Sequence, residues 1–452
     1  MSGDAGESGE FVLLPKIPPM KKFFLLSFVF LVSVSFAQVI HPPIGTISNP
    51  DGAEVELTLI SRIHSHTPKV TDNMERYEKD IISPKSAVFL EEKNKFYINS
   101  LEGFMTVVFD IKTFKKIKSI HHDFSKKDAG LFKETTVLGY DFLTKRDEPN
   151  TFKGKPVECC LSNNKKYLWV TYYRRSYDPN AMEPSAVAII DTDKDEIVRV
   201  MPTGPLPKMI AASPDGKYVA VTHWGDNTVG IIDVSSGDVN KFKYIKHLVV
   251  DYQQKFSAAQ NQGGIDRDTH CGLCLRGTAF TSDSKYLLVG RMGGGGISVF
   301  DMSDFSFKST VYGMRTNVRH LVVTKNYLYL SSNKSGYVQK CSIADFIAFA
   351  INPDNKGKNF TDWQECFAGA GARTIEVSDD EKYIFAACNN ASAVVVIRAK
   401  DMVKVGEVKA DSFPVGLALR KNNYLLISTS QAHPGVGGGN CVDIYYVRYN
   451  KK

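Results

Sequence analysis

Along most of the chain, apolar and polar residues alternate with a period of two. The alternating stretches are short, and they are separated by Gly, Asn, Asp or Ser residues that favour turns. The three-to-four-residue spacing of an amphipathic helix is scarce. The pattern therefore predicts an all-β protein made of short strands joined by tight turns.

One unit of this pattern occurs seven times between residues 81 and 450. In each copy a short apolar strand ends in a polar turn, which is followed by Lys or Asn, an aromatic residue and a second strand. Most copies continue through a Gly or Asn turn into a third strand. The aromatic residues that mark the second strands are Phe96, Tyr167, Tyr218, Tyr286, Tyr327, Tyr383 and Tyr424.

A single unit of three or four strands cannot bury both faces of its own sheet. Radial packing gives every sheet a neighbour on each side, and closing the ring leaves only short, protected edges. Residues 81–452 are therefore predicted to form a seven-bladed β-propeller with roughly 50 residues per blade, a normal length for a blade with insertions.

Closure of the ring calls for one more strand. The last copy ends after a third strand, at Tyr449, and lacks an outer strand of its own. Residues 53–63 (AEVELTLISRI) read as a strand without a copy of its own. We expect this strand, within an N-terminal segment of residues 38–80, to pair as the outer strand of the last blade and to latch the ring. The alternative is an edge strand on the first blade.

The first 37 residues are interpreted as a leader followed by a signal peptide. Lys21 and Lys22 precede an apolar run at 23–36, and Ala37 supplies a small residue before the predicted cleavage site. Residues 1–19 do not fit this pattern and are interpreted as an upstream mis-start or an added leader. The apolar run is shorter than the roughly 20 residues that span a bilayer. The mature chain is thus predicted to be exported, without a transmembrane segment.

The composition narrows the classes of partner that the protein is expected to bind. Hydrophobic residues make up 43% of the 452 residues and charged residues 23%, which suits a globular domain. The formal net charge of +7 falls well short of the Lys/Arg density of nucleic-acid-binding proteins, so no nucleic-acid partner is expected. It favours attraction to an acidic surface or a local anion.

Positive charge recurs at one position of the repeat. Counting back from the turn that ends each first strand, the equivalent positions are Lys85, Val157, Lys208, Arg276, Arg319, Arg373 and Val415. Because first strands line the central channel of a propeller, the five cations are predicted to converge at one mouth of the channel, here named the basic mouth. Such a cluster requires neutralisation, either by a bound anion or acidic partner or by acidic residues of the fold, such as Glu158 and Glu376.

Four long insertions are predicted to share the face of the basic mouth. They are residues 121–155, 173–185, 245–274 and 431–440. The first and third lie between the end of one blade and the first strand of the next, and the others lie between second and third strands. In propeller topology both kinds of loop emerge on one face, and loops on a rigid scaffold often carry recognition.

The insertion at 245–274 ends in a C-x-x-C pair, Cys271 and Cys274, beside His270. Zinc would want two further ligands at similar spacing, and none follows in the sequence. A c-type haem motif needs a His directly after the second Cys, where Leu275 stands, and a redox motif expects a βαβ context, which is missing. All eight cysteines follow the predicted signal peptide, and exported proteins can form disulfides. A local disulfide is favoured, with free thiols and a metal as alternatives.

Catalytic patterns do not stand out in the sequence. The G-x-S-x-G signature of Ser hydrolases does not occur, and His223, His270, His320 and His433 are scattered over blades and loops. The glycine run at 293–296 lies between strands and lacks the helix start of a phosphate loop. We therefore predict a protein that is not an enzyme and has no cofactor and no metal.

Three stretches resemble the YVTN/YncE-like β-propeller repeats. They are residues 213–234 (SPDGKYVAVTHWGDNTVGIIDV), 318–338 (VRHLVVTKNYLYLSSNKSGYV) and 378–397 (SDDEKYIFAACNNASAVVVI). The resemblance covers roughly residues 81–450 and implies a seven-bladed propeller in the periplasm or at the cell surface. Some members of the family are lactonases, but no metal or acid/base set can be carried over to residues of this chain. The signal peptide is similar to those of the Bacteroidota.

Together these features predict a non-enzymatic periplasmic scaffold that binds a protein partner, such as an outer-membrane complex, through the basic mouth. Three alternatives stay open. The protein could plug the periplasmic end of an outer-membrane protein-secretion translocon of the type IX kind, it could be a propeller lactonase, or it could bind a small anion in the channel.

Overall fold

The computed structural model describes residues 41–48, 53–72, 74–134, 136–137, 140–141, 150–256, 264–431 and 437–450. The predicted leader and signal peptide and His433 lie outside these ranges, as do residues 142–149, 257–263 and 432–436 of the insertions. Two strands precede the first blade, β1 (Val55–His64) and β2 (Glu75–Tyr77).

Seven sheets of mainly antiparallel strands follow, one for each blade, and the first strands of neighbouring blades contact each other, so they are the innermost strands of the ring. Blade 1 contains β3 (Pro84–Leu90), β4 (Lys95–Ser100), β5 (Met105–Asp110) and β6 (Lys116–His121). Before blade 2 come the short strands β7 (Asp123–Phe124), β8 (Thr136–Val137) and β9 (Tyr140–Asp141). Blade 2 contains β10 (Phe152–Ser162), β11 (Tyr167–Arg175), β12 (Ser185–Asp191) and β13 (Glu196–Thr203), and β7 adds to its inner edge.

Blade 3 contains β14 (Pro207–Ala212), β15 (Tyr218–His223), β16 (Thr228–Asp233) and β17 (Lys243–Val249). Blade 4 contains β18 (Leu275–Phe280), β19 (Tyr286–Arg291), β20 (Ile297–Asp301) and β21 (Ser306–Val311). Blade 5 contains β22 (Val318–Val323), β23 (Tyr327–Ser332), β24 (Tyr337–Ser342) and β25 (Gln364–Phe367), with helix α1 (Ile343–Ile351) between the last two strands.

Blade 6 contains β26 (Ala372–Val377), β27 (Tyr383–Cys388), β28 (Ala393–Arg398) and β29 (Val403–Lys409). Blade 7 contains β30 (Pro414–Leu419), β31 (Leu425–Ser430) and β32 (Cys441–Tyr449), and β1 supplies its outer strand. Short 3-10 turns occupy Glu91–Lys93, Lys126–Leu131, Val239–Lys241 and Pro353–Asn355. Among the described residues, no helix is both long and apolar enough to cross a bilayer.

The turns between third and outer strands show why the third strands of blades 1 to 4 end with Asp. In blades 1, 3 and 4 the carboxylate accepts a backbone N–H from the turn, for example from Thr113 to Asp110 at 2.7 Å and from Ser235 to Asp233 at 2.9 Å. The side chain thereby replaces a backbone acceptor and fixes the direction in which the outer strand returns.

The core lies between blades, and the contact of blades 2 and 3 shows how it is built. Trp169 on β11 is fully buried, with Phe242 ahead of β17 at 5.8 Å between ring centroids. Val219 and Val221, alternate residues of β15, pack in the same cluster. Successive side chains of a strand point to opposite faces of its sheet, and Leu168 beside Trp169 packs in a second cluster with blade 1. Blade 2 therefore has two apolar faces, one for each neighbouring blade.

The predicted latch is confirmed. Strand β1 pairs antiparallel with β32 from Val55 opposite Tyr449 to His64 opposite Cys441, so the alternative of an edge strand on blade 1 is wrong. Leu57 on β1 packs in a cluster with blade 6. Beyond a register irregularity after Leu59, Ile63 packs in a cluster with blade 1. The latch strand therefore packs against both blades that neighbour blade 7, namely blades 6 and 1.

A buried ion pair also joins the latch to blade 7. Arg62 of β1 lies opposite Asp443 of β32, and its Nε donates to the Asp443 carboxylate at 2.7 Å. Both side chains are almost fully removed from solvent. The pair fixes the register, because a shifted strand would leave both charges buried without a partner.

Candidate functional site

The five cations of the basic mouth occupy the same position in their innermost strands. In blades 1, 3, 4, 5 and 6 the cation is the second residue of the innermost strand, Lys85, Lys208, Arg276, Arg319 and Arg373. In all five, the pairing with the second strand has a register irregularity that includes this residue. A β-bulge re-aims a side chain, and bulges are common next to binding sites.

The five side chains meet in one cavity at the channel mouth. The cavity has a volume of about 520 Å³, and Val157 lines it together with all five cations. Aromatic residues complete the wall, namely Tyr173, Trp224 and Phe413. The convergence inferred from the repeat register is therefore present in the structure, and the volume is in the range of small-molecule sites.

Two of the five cations have carboxylate partners. A terminal nitrogen of Arg276 pairs with the Glu158 carboxylate, and its other terminal nitrogen donates to the Lys208 carbonyl at 2.8 Å. Lys208 pairs with Asp268, and its ammonium lies 3.7 Å from the centre of the Trp224 ring. The fold thus neutralises part of the basic mouth itself.

The other three cations, Lys85, Arg319 and Arg373, have no ion-pair partner among the residues that the structure describes. Nη1 of Arg319 donates to the Met292 sulfur at 3.4 Å, and the buried Nε makes no hydrogen bond within the described chain. The Arg373 guanidinium lies 5.9 Å from the Phe413 ring centre. Positive charge therefore exceeds negative charge inside the cavity.

Glu376, which the sequence offered as a neutralising residue, does not take this role. It lies toward the other end of β26 from Arg373 and lines a separate cavity of about 210 Å³ with Glu91 and Lys421. Burial raises the pKa of Glu376 to about 8, so its carboxyl group is largely protonated at neutral pH. Of the two acidic residues proposed from the sequence, only Glu158 pairs with the basic mouth.

The pKa values of the basic mouth show the cost of gathering these charges. Burial, followed by repulsion from Arg373, Arg276 and Arg319, lowers the pKa of Lys85 well below its usual value. Burial lowers the pKa of Lys208 to about 7 even though Asp268 opposes the shift. A guanidinium keeps its proton at neutral pH, so the lowered pKa of Arg373, about 9, reflects the cost of burial and, after it, repulsion from Arg276, both of which a bound anion would offset.

The insertions supply part of the cavity wall. Tyr173 and Asp268 both line the cavity, the first at the start of the 173–185 insertion and the second within 245–274. The Tyr173 hydroxyl donates to Asp268, and Arg174 donates to Asp266 at 2.9 Å. These contacts join two insertions over the mouth, as expected if they share its face.

Cys271 and Cys274 are bonded as a disulfide, with sulfur atoms 1.96 Å apart. The buried Cys271 packs in a small cluster with Leu206 and Trp224, so the disulfide loop supports the wall of the basic mouth. A Cβ on Gly293 would clash with the Gly272 carbonyl oxygen. The first glycine of the run at 293–296 therefore permits a close approach of this loop.

Two of the histidines considered in the sequence form hydrogen bonds within the fold. His223 is fully buried, and its ring nitrogens hydrogen-bond to the Thr203 and Thr228 hydroxyl groups at 2.6 and 2.8 Å. The ring of His320 accepts a hydrogen bond from the backbone N–H of Ile375 at 3.4 Å.

Two residues of the cavity wall, Trp224 and Asp268, were not predicted from the sequence. Trp224 belongs to the WGD turn after β15, and Asp268 lies shortly before the C-x-x-C pair; these two positions were the features that could have indicated them.

No protein-family model and no curated protein matches the chain. Solved structures do match it. Hydrazine synthase of Kuenenia stuttgartiensis aligns with a TM-score of 0.56 at 11% identity, over 85% of this chain and 100% of the other. The β-propeller domain of Cps50 (Swd1) from Myceliophteria thermophila aligns with a TM-score of 0.55 at 10% identity, over 81% and 97%. At such identities the likeness shows the β-propeller fold alone.

Proposed function

We propose that this protein is a non-enzymatic, exported scaffold that binds an acidic segment of a protein partner at the basic mouth. One observation carries the proposal: Lys85, Arg319 and Arg373 share a cavity without an ion-pair partner in the described chain. Buried like charges are costly, and a carboxylate from outside offsets that cost.

The chemistry of the cavity suits side-chain carboxylates. The guanidinium groups of Arg319 and Arg373 can each hold a carboxylate through two parallel hydrogen bonds. Trp224 and Phe413 provide flat apolar surface beside them. A cavity of about 520 Å³ admits a few side chains and not a folded domain. The partner is therefore expected to present an acidic loop or terminus, while the insertions contact its surroundings.

The place of action is part of the same proposal. The signal-peptide pattern at 20–37 supports export, and the disulfide of Cys271 and Cys274 suits an oxidising compartment. In the periplasm, an outer-membrane complex is the proposed partner. A plug at the periplasmic end of a secretion translocon is one specific form of it.

Affinity purification from envelope membranes tests the proposal. The wild type is compared with Arg319→Glu/Arg373→Glu, and the control is Lys285→Glu/Lys382→Glu, which reverses two exposed lysines. We expect the wild type and the control to retain the same partner in stoichiometric amount and the basic-mouth variant to lose it. Retention of that partner by all three proteins would show that the basic mouth does not bind it.

A small anion in the channel is the second candidate, and the cavity volume of about 520 Å³, which is in the range of small-molecule sites, favours it. Titration with citrate and inorganic phosphate, followed by Trp fluorescence, distinguishes the two because Trp224 lies in the wall. Saturable micromolar binding of such an anion, with no partner retained from membranes, would favour the second candidate over the first.

A further inference from the structure

Beside the latch, the structure contains a group of histidines that the basic mouth does not involve. His64 is the last residue of β1, His66 follows it, and the His66 ring stacks between two others. Its centre lies 3.8 Å from that of His41 and 3.9 Å from that of His64. Glu75 and Asp411 approach the same rings, and these five residues are named the histidine cluster.

The two ring nitrogens of His64 have different surroundings. Nδ1 lies 3.2 Å from the His66 carbonyl oxygen, a bond that requires the hydrogen on Nδ1. The lone pair is then on Nε2, which is buried, has no hydrogen-bond partner in the described part of the chain and lies 3.8 Å from the Glu75 carboxylate. A second ring nitrogen that donates to a backbone carbonyl is the usual way in which a protein orients a metal-binding histidine.

His66 shows the same deficiency. Both of its ring nitrogens are buried and lack hydrogen-bond partners within the described residues. A buried polar atom without a partner is unfavourable, and such atoms are rare in native proteins. A neutral imidazole has one N–H and one lone pair, so His64 and His66 each present one unsatisfied lone pair, which points to a missing partner that accepts lone pairs.

We propose that the histidine cluster binds one divalent transition-metal ion of the zinc class, with His64, His66 and Glu75 as protein ligands. Two imidazoles and one carboxylate are ligands that zinc prefers, and three protein ligands leave one position for water. Their ligand atoms lie within 4.8 Å of one another. At metal–ligand distances of about 2.0–2.2 Å, the stacked rings of His64 and His66 must tilt so that their lone pairs converge.

The surroundings suit an added positive charge. Arg62 is the nearby cation, with a terminal nitrogen 4.0 Å from Glu75, but its Nε is held by Asp443 at 2.7 Å. Asp411 supplies a further buried carboxylate, paired with His41 beside the His66 ring.

The ion would join the end of the latch to β2. His64 ends β1, and Glu75 begins the parallel strand β2 that pairs with it. A metal held by both would stabilise this edge of blade 7 in the way that a cross-link does, because it binds the folded arrangement and not the unfolded chain.

Calorimetric titration of the metal-free protein with Zn²⁺ tests the proposal, together with Co²⁺ absorption and the Tm. The variants are Glu75→Gln and His66→Ala, and the matched control is His121→Ala, an exposed histidine outside the cluster. We expect one Zn²⁺ per chain, a raised Tm, and Co²⁺ spectra without the charge-transfer band of a thiolate ligand. Either variant should weaken Zn²⁺ binding at least tenfold, while the control leaves it unchanged.

Some outcomes would overturn the assignment. Glu75→Gln keeps the size of the side chain and is the variant that tests the ligand set if His66→Ala does not fold. Absence of Zn²⁺ binding by the wild type, or equal binding by Glu75→Gln and the control, would refute the site. Loss of binding in His41→Ala but not in Glu75→Gln would place the ion on His41, His66 and Asp411, which is contrary to the proposal.

Discussion

Replacing Arg373 with Met is expected to stabilise the ligand-free protein. The Arg373 side chain is buried, it has no carboxylate partner among the described residues, and its guanidinium carbon lies 5.9 Å from the Phe413 ring centre. Methionine keeps the apolar stem in place and removes a charge that burial and Arg276 destabilise. A binding site often carries such a local cost, which the ligand relieves.

The magnitude follows from the environment of the charge. Replacing buried charged groups by well-packed apolar residues of similar volume often stabilises a protein by about 1–4 kcal/mol. We expect a gain in this range for Arg373→Met. Each kcal/mol raises Tm by about 2–4 °C in domains of 150–250 residues and by less in longer chains. The Tm of Arg373→Met should therefore rise by a few degrees.

Arg276→Met provides the matched control, since it makes the same change in the same ring. Arg276 pairs with Glu158 and donates to the Lys208 carbonyl, so its removal leaves a partly buried carboxylate without a partner. Breaking such a pair costs about 3–5 kcal/mol. Thermal unfolding in low-phosphate buffer should thus show opposite signs for the two variants. A lower Tm for Arg373→Met, by as much as for Arg276→Met, would refute the view that Arg373 awaits an external anion.

Three further predictions concern the latch, the separate cavity that Glu376 lines and the pH dependence of anion binding. Arg62→Leu leaves the Asp443 charge buried without its partner, so denaturant unfolding should show a free energy of unfolding lower by about 3–5 kcal/mol. The double variant Arg62→Leu/Asp443→Leu should recover most of this loss. An equal loss in the single and the double variant would show that the two charges do not act as a pair. Glu376 has a folded-state pKa of about 8, raised from 4.5 by burial, so the free energy of unfolding should fall as pH rises between these values. Glu376→Gln should flatten that slope, and an unchanged slope would contradict the assignment. Lys208 has a pKa of about 7, lowered from 10.5, so its positive charge is lost as pH rises through 7. Titrations of the wild type should show weaker anion binding at pH 8.5 than at pH 6. In Lys208→Arg the difference between the two pH values should be smaller. An equally large difference in this variant would show that the charge on Lys208 does not contribute to anion binding.

The sequence predicted the blades because each repeat buries its strands in the same way. An aromatic residue such as Tyr218 marks the start of the second strand. The apolar residues that follow it recur because each of them packs against one of the two neighbouring sheets. The latch was predictable for a related reason, since an unpaired apolar strand and an incomplete last blade complement each other. Helix α1 was missed because nine residues within a connection change the period only locally.

The site was predictable only in part. Counting along the repeat located the five cations, because their position on the innermost strand is set by register. Which of them are neutralised depends on Asp268, which reaches the channel from an insertion 60 residues away from Lys208 in the sequence. The histidine cluster was missed because Asp411 lies 370 residues from His41 and only ring closure brings them together.

Binding of an acidic peptide at the basic mouth can be measured by calorimetric titration with hexaglutamate. We expect saturable binding to one site per chain that is weakened by salt and is at least tenfold weaker in Arg319→Glu/Arg373→Glu, while the control Lys285→Glu/Lys382→Glu binds like the wild type. Binding of equal strength in all three proteins would contradict the claim that the basic mouth recognises an acidic partner, and so would the absence of binding to the wild type.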